Sequence, residues 1–380
     1  MMRIAFTMIN CNRRDGSARA VNEVAERLAR RGHDVHLFAR KVDDLDLELI
    51  HWHKVPGPDW PEVADFWSYY QAVNRRLRNH DFDIVHSIGP NTLRANVVTI
   101  QNIQPAKMRI LERHASGEKI SPLRRLTRRF YLQATSAAEK KLYTRKPAPV
   151  FLPVSRGVEA ELRQYYAVGN AQVRIVPNAA DTTVFHPLSA PERTAWRNAN
   201  GFREEDFIAI FSGGEWARKG LDLAVRALGY IRQPEIKLFV AGDDPDLERY
   251  QTMAVEAGVG NRVVFGGFRR DIATAMAASD IFLFPSHYEA FSLATLEAAA
   301  CGLPVIATKI NGTEDFIQPR MNGEFITHDP AQIAETLSSL VANRSAVQLM
   351  GGNARRLVEQ HYTWDHVTSM TEEAYKSFLA

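Results

Sequence analysis

Cysteine is almost absent: Cys11 and Cys301 are the only two in 380 residues. They lie far apart without metal-ligand neighbours, so no disulfide framework is expected, and the pair fits a reducing compartment. Long apolar runs are missing too, and nothing approaches the roughly 20 residues of a membrane-spanning helix. The opening MMRIAFTMIN lacks the extended apolar region of a signal peptide and reads as a short strand, which points to the cytoplasm. There is no internal repeat of solenoid period and no low-complexity segment. What remains is ordinary for a soluble globular chain: 45% hydrophobic, 24% charged, net charge +3. The length allows two domains, each with its own core.

The most informative stretch is 280–308, D-IFLFPSHYEAFSLATLEAAACGLPVIAT. Residues 281–284 and 305–307 are short continuous apolar runs, the pattern of parallel strands covered on both faces. Between them Ser292 offers a helix N-cap, and Leu293, Leu296 and Ala300 share one helical face. Gly302 then ends the helix and Pro304 blocks its return. The unit is βαβ, and its loop and helix start stand at the carboxyl ends of the strands, where open α/β sheets bind ligands. Glu289 falls on the loop, and Glu297 about one and a half turns inside the helix. The N–H groups around Phe291, Ser292 and Leu293 form an anion site at the positive end of the helix dipole. A diphosphate flanked by two hydroxyl-bearing groups, as in a sugar nucleotide, suits that layout. Glutamates eight apart are common, however, and their spacing alone favours a solvated loop residue and a polar helix face.

The wording around them resembles the E-x7-E segment of retaining glycosyltransferases of the GT4 type, which have the GT-B fold. The resemblance implies that Glu289 contacts hydroxyls of the donor sugar and that Glu297 holds the ribose. It extends over most of the chain. Near the start, a strand at 3–9 leads through a loop with Asp15, Gly16 and Ser17 into a helix. The family usually has a Gly-Gly pair there, against donor phosphate or acceptor, whereas this chain has Gly16 alone. A glycine at that point lets the backbone approach a ligand closely. After the strand at 97–100, where the family often has a histidine near the transferred sugar, this chain has Gln101 or Asn102. An amide can hydrogen-bond a sugar hydroxyl but cannot act as acid or base. His86 ends an earlier strand and is a second candidate for that neighbourhood, with a structural role as the simpler reading.

The connector RIVPNAADTTVFHP, 174–187, resembles the family's interdomain crossing and places the boundary near Pro187. The second half restarts with a strand at 208–212 followed by GGEWARKG. Gly213 and Gly214 open the turn, and Arg218 and Lys219 are placed to neutralise a diphosphate leaving group. The family commonly has an arginine after the glycine, where this chain has Glu215. A strand at 237–241 ends in Gly242, and the loop 266–269, with Phe268, is expected to border the nucleotide base. The terminal segment, beginning near Trp364, resembles the family's last helix, which crosses back to the first domain.

Residues 107–146 carry twelve Lys or Arg against three Glu, a local net charge of +9. Leu123, Leu126, Phe130, Ala134 and Ala137 recur there at helical spacing. Such a basic amphipathic helix can lie on an anionic membrane or receive an anionic acceptor, with a solvated basic face as the simpler reading. Nucleic acid is the rival partner, but no recognised binding motif supports it.

The expectation is an α/β chain of two Rossmann-like domains. Residues 1–187 with the returning helix 363–380 form the acceptor domain, and 188–362 form the nucleotide-sugar domain. The expected activity is retaining transfer of a hexose-type sugar, from a UDP-sugar by preference, to a glycan or lipid-linked acceptor of the lipopolysaccharide or surface-polysaccharide kind. Glu289, Lys219 and Arg218 carry the chemistry, and no metal or other cofactor is called for. The expected location is cytoplasmic, at the inner face of the membrane if the basic helix binds lipid. A sugar-nucleotide epimerase, a phosphorylase-like activity and a lapsed nucleotide-binding scaffold stay open as alternatives.

Overall fold

The computed structural model describes residues 1–12, 16–114, 122–169 and 172–380, and within them all side chains except those of 110–114, 122, 124 and 125. Asp15 and part of the basic stretch therefore lie outside the described residues. The chain forms two compact units: Met1–Asn178 with Trp364–Ala380, and Ala179–Thr363.

The first unit contains β1 (Arg3–Thr7), β2 (Asn10–Cys11), β3 (Asp34–Ala39), β4 (Lys41–Val42), β5 (His51–Lys54), β6 (Ile84–Ile88), β7 (Val97–Ile100) and β8 (Val150–Pro153). Six of these make one sheet in the order β5-β3-β1-β6-β7-β8, while β2 and β4 pair separately. Every pairing in the main sheet is parallel. The second unit contains β9 (Phe207–Ser212), β10 (Ile236–Ala241), β11 (Val263–Gly267), β12 (Ile281–Phe284), β13 (Val305–Thr308) and β14 (Gly323–Ile326), ordered β11-β10-β9-β12-β13-β14. Its pairings are parallel as well. In both sheets the chain steps outward from the first strand, returns, and continues on the other side. This is the doubly wound order, and it leaves a crevice at the reversal, between β1 and β6 and between β9 and β12.

Burial follows the apolar runs. All residues of β9, β12 and β13 are buried, as a parallel sheet with helices on both faces requires. In the second unit Trp216, Tyr250 and Phe211 pack with the strand side chains Leu238, Val240 and Leu283. The helix Leu293–Ala300 runs between β12 and β13, with Leu296 and Ala300 buried and Leu293 half-buried.

The division between units falls at Asn178, earlier than the Pro187 of the sequence reading. The intervening residues are tied to the second unit by the Ala180 N–H to the Tyr362 carbonyl and by Arg355 to the Phe185 carbonyl. The last helix, Trp364–Leu379, belongs to the first unit. There Arg27 of the helix Gly16–Arg30 bonds Asp365, and Arg31, just past its end, bonds Glu372. Strands β2, β4, β5 and β14 were not foreseen; β5 and β14 lie at sheet edges, where β5, with the polar sequence HWHK, is only partly buried.

Candidate active site

In the second unit the crevice between β9 and β12 is bordered by the loop after each strand. The first loop runs from Gly213 into the one-turn helix Trp216–Lys219. Glu215 before that helix and Gly220 after it are both left-handed, at φ 52° and 74°. These two bends turn Arg218 and Lys219 toward the second loop. Gly220 must be glycine, because a Cβ there would stand 2.2 Å from the Pro285 carbonyl oxygen. The loops are also joined by the His287 N–H to the Arg218 carbonyl at 2.9 Å.

Glu289 is thereby brought between two cations. Its Oε1 accepts from Arg218 Nη1 at 2.7 Å and from Lys219 Nζ at 3.2 Å. Arg218 also donates to the Tyr288 carbonyl at 2.6 Å and to Glu215 Oε2 at 2.7 Å. Lys219 lies over the Phe284 ring, 4.9 Å from its centroid, and its stem passes so close to Gly213 that a Cβ there would meet Cε at 2.9 Å. Burial alone pushes the Glu289 carboxyl up, but the Lys219 and Arg218 charges outweigh it and hold the group below the ordinary carboxylate range. The carboxylate is therefore ionised at neutral pH. Two cations sharing one carboxylate oxygen form an anion site whose internal carboxylate can also accept a hydroxyl hydrogen bond.

Glu297 is only 6% exposed, so the polar helix face that its spacing alone favoured does not exist. Ser292 occupies the N-cap position of Leu293–Ala300 without a side-chain capping bond. Phe291 is buried, and a Cβ on Gly312 (φ 80°) would stand 2.7 Å from its Cα, so the 310–314 loop is pressed against the helix start. Gly242 (φ 130°) packs on Gly213, with a Cβ position 2.5 Å from that carbonyl oxygen, and Gly214 faces the Asp243 carbonyl. Phe268 presents an exposed ring beyond β11, its N–H held by Asp243 Oδ1 at 3.0 Å. Arg218, Lys219 and Glu289 thus form one contact set at the carboxyl edge of this sheet, with Gly214 and Gly242 shaping the adjoining turns.

Sequence reasoning passed over several contacts. Glu215, noted there as a departure, orients Arg218. His287 stacks on His328 with centroids 4.4 Å apart, and His328 Nε2 meets the Ser286 carbonyl at 3.1 Å. Only the topology, which puts the end of β14 beside the loop after β12, makes that pair visible. Three aspartates hold backbone N–H groups: Asp244 those of Trp216 and Asp246, Asp46 that of Glu48, and Asp83 that of Arg3.

The remaining candidates lie in the first unit. Gly16 and Ser17 open the helix Gly16–Arg30. His86 is 3% exposed, with Nδ1 2.6 Å from the Tyr375 hydroxyl and Nε2 2.7 Å from Thr99 Oγ1. Burial lowers it to about 3, so the ring is neutral and both nitrogens are engaged. It is a packing histidine. Gln101 forms an amide pair with Asn178, Nε2 to Oδ1 at 3.1 Å. Ser17, His86, Gln101 and Asn178 line a small cavity of about 30 Å³.

Two doubly wound parallel sheets, one with a cation-rich crevice at its carboxyl edge, are the architecture of the GT-B fold. Comparison with known proteins agrees for each half. Residues 14–184 match the family model described as Glycosyltransferase Family 4, and 192–357 match Glycosyl transferases group 1. The chain belongs to this family of GT4-type glycosyltransferases. Over 364 residues it is 24% identical to the lipopolysaccharide glucosyltransferase WaaG of Escherichia coli, covering 94% of each chain. To a D-inositol 3-phosphate glycosyltransferase of Xylanimonas cellulosilytica it is 29% identical over 59% of this chain and 56% of that one. The first curated relatives are thus spanned over less than two thirds of their length. Among solved structures, WaaG superposes with a TM-score of 0.81 at 22% identity, over 99% of both chains. HepE of Anabaena in complex with UDP-glucose superposes with 0.76 at 18%, over 99% of this chain and 100% of that one. These two likenesses establish the fold.

Proposed function

We propose that this glycosyltransferase moves a hexose-type sugar from a nucleoside diphosphate sugar, UDP-linked by preference, to a glycan or lipid-linked acceptor with retention at the anomeric carbon. The observation that carries the reading is the Glu289 carboxylate held by Arg218 and Lys219 at the reversal point of the second sheet. In this reading the diphosphate takes up the two cations and the helix start at Ser292 and Leu293, while Glu289, already ionised, accepts from donor-sugar hydroxyls. Glu297 holds the ribose, and the exposed Phe268 ring borders the base. Because cations and helix dipole carry the leaving-group charge, the step asks for no metal. The leaving phosphate oxygen then takes the acceptor's proton on the same face, which accounts for retention without a carboxylate nucleophile. That solved neighbours hold UDP or UDP-glucose and that one relative is a lipopolysaccharide glucosyltransferase supports the choice of donor and acceptor class.

Membrane contact belongs to the same reading. Leu123, Leu126 and Phe130 of the helix Pro122–Tyr143 are 58%, 50% and 51% exposed, beside the exposed Arg128 and Arg129. The buried side of that helix is instead Thr135, Ala138, Glu139 and Leu142. Among the described residues no helix is long and apolar enough to cross a membrane, so the contact is peripheral.

A thermal-shift screen with UDP, GDP, ADP and their sugars, with and without EDTA, tests the donor. A ligand at a hundred times its dissociation constant adds about 2.7 kcal/mol. A shift with one nucleotide, unchanged by EDTA, is the expected result, and no shift with any of them overturns the sugar-nucleotide reading. Anomeric configuration of the product by NMR decides retention. Donor consumed without acceptor would favour the epimerase instead.

A further inference from the structure

The amino end of the first sheet, opposite the edge at which such sheets bind their substrates, carries an unusual density of imidazoles. His36 on β3 lies directly across from His51 on β5, and Asp34 precedes His36 by two residues and so shares its face. Asp34 Oδ1 stands 3.0 Å from His36 Nε2 and 3.6 Å from His51 Nε2. One ligand atom from each of the three residues lies within 4.8 Å of the others. Three donors bound to one ion at zinc distances in tetrahedral array would be about 3.3 Å apart, so these atoms already stand near coordinating separation.

Two further features point to an ion rather than to a plain hydrogen bond. His36 is 7% exposed, yet its Nε2 makes no well-aligned hydrogen bond, although Asp34 Oδ1 is 3.0 Å away. Its other nitrogen, Nδ1, stands 2.8 Å from His53 Nε2. That is the outer partner by which a metal-bound histidine keeps its ring oriented and its coordinating lone pair free. Arg3 pairs with the opposite oxygen, Asp34 Oδ2, at 3.2 Å and leaves Oδ1 to the imidazoles. The His51 side chain is 69% exposed, which gives an ion and a completing water access from solvent.

We infer that Asp34 Oδ1, His36 Nε2 and His51 Nε2 form a site for one divalent transition-metal ion, with water in the fourth position. The two-nitrogen, one-oxygen donor set selects zinc, cobalt or nickel over magnesium or calcium. A bound ion ties the edge strand β5 to β3, a structural role separate from sugar transfer and independent of the donor proposed above.

The test is titration of the full chain, free of any histidine tag, with zinc chloride by calorimetry and with cobalt chloride by visible absorption. The expected result is one equivalent bound, intense tetrahedral cobalt bands, a higher melting temperature with zinc, and no response to magnesium. His51→Ala removes an exposed side chain and should leave the metal-free melting temperature unchanged, while Asp34→Asn keeps the shape but loses the charge. Each should weaken binding at least about tenfold, since even outer partners of metal ligands are worth 10- to 100-fold. His53→Gln should weaken it less. Absence of zinc and cobalt binding to the wild-type chain overturns the site, as does binding that survives unchanged in His51→Ala.

Discussion

Truncating Glu289 to alanine separates its two proposed tasks, holding the empty site together and serving the sugar. In the free protein the substitution leaves Arg218 and Lys219, with side chains 17% and 12% exposed, facing each other without their shared carboxylate. Removing one member of a buried ionic group costs about 3–5 kcal/mol. Glu215 still pairs with Arg218 at 2.7 Å and solvent reaches the loop, so the lower end, roughly 3 kcal/mol, is the expected loss. For a unit of this size that is about 6–12 °C in melting temperature. The two freed cations can bind a diphosphate without competing with the carboxylate, so nucleotide affinity should hold or rise, and saturating UDP should recover much of the lost melting temperature. Turnover should fall about 10- to 100-fold, the worth of a charged hydrogen bond made to the reacting sugar. Calorimetric melts with and without UDP, set beside a UDP-release assay, measure all three quantities. Equal losses of nucleotide affinity and turnover would refute a sugar-contacting Glu289, and an unchanged metal-free, ligand-free melting temperature would refute the ionic cluster. Acid should act like the mutation. Because the folded-state Glu289 is held below its ordinary range, the stability it contributes is present above that range and is lost as pH falls through the depressed value.

Other expectations follow from the same geometry. Glu139 is fully buried, accepts from the Tyr166 hydroxyl at 2.6 Å and from the Gln104 N–H, and is raised by burial to about 7 from an ordinary 4.5. A raised carboxyl means the folded state holds the proton more tightly, so stability should decline by up to roughly 3 kcal/mol as pH rises from that ordinary value to 7. Urea melts at about pH 5 and about pH 8 should show this slope, and Glu139→Gln should flatten it. Gly220→Ala places a Cβ against the Pro285 carbonyl at a left-handed position. It should destabilise by about 2 kcal/mol or more and reduce turnover with the misplaced Lys219, and retention of wild-type melting and activity would contradict that packing. Both cysteines are buried and burial pushes Cys301 to about 12, so neither should react with a thiol reagent until the protein unfolds. Sedimentation with anionic but not neutral vesicles, reduced by charge substitution at Arg128 and Arg129, is expected of the exposed Leu123–Phe130 face. Equal binding to both vesicles would argue against it.

Much of the fold was legible because it rests on local rules. Short continuous apolar runs such as IFLF and VIAT, bounded by turn signals, fit strands covered on both faces, and glycines at helix ends mark where crossovers stop. Two such series separated by a proline-rich connector imply two sheets. The edge strand His51–Lys54 escaped notice, because an edge strand is buried on fewer sides and need not be apolar. The unit boundary shifted from Pro187 to Asn178, since backbone bonds to Tyr362, about 180 residues further along, decide where that connector belongs. For the site, sequence supplied Arg218, Lys219 and Glu289 as separate candidates with the right chemistry. That Glu289 lies between both cations, that Glu215 steadies one of them, and that Gly220 makes room for Pro285 are facts of two loops meeting beside β9 and β12. Long-range proximity of that kind is set by strand order, whereas residue type and local periodicity report only on near neighbours. The same holds for Asp34, His36 and His51, which become a cluster only when β3 and β5 pair in register.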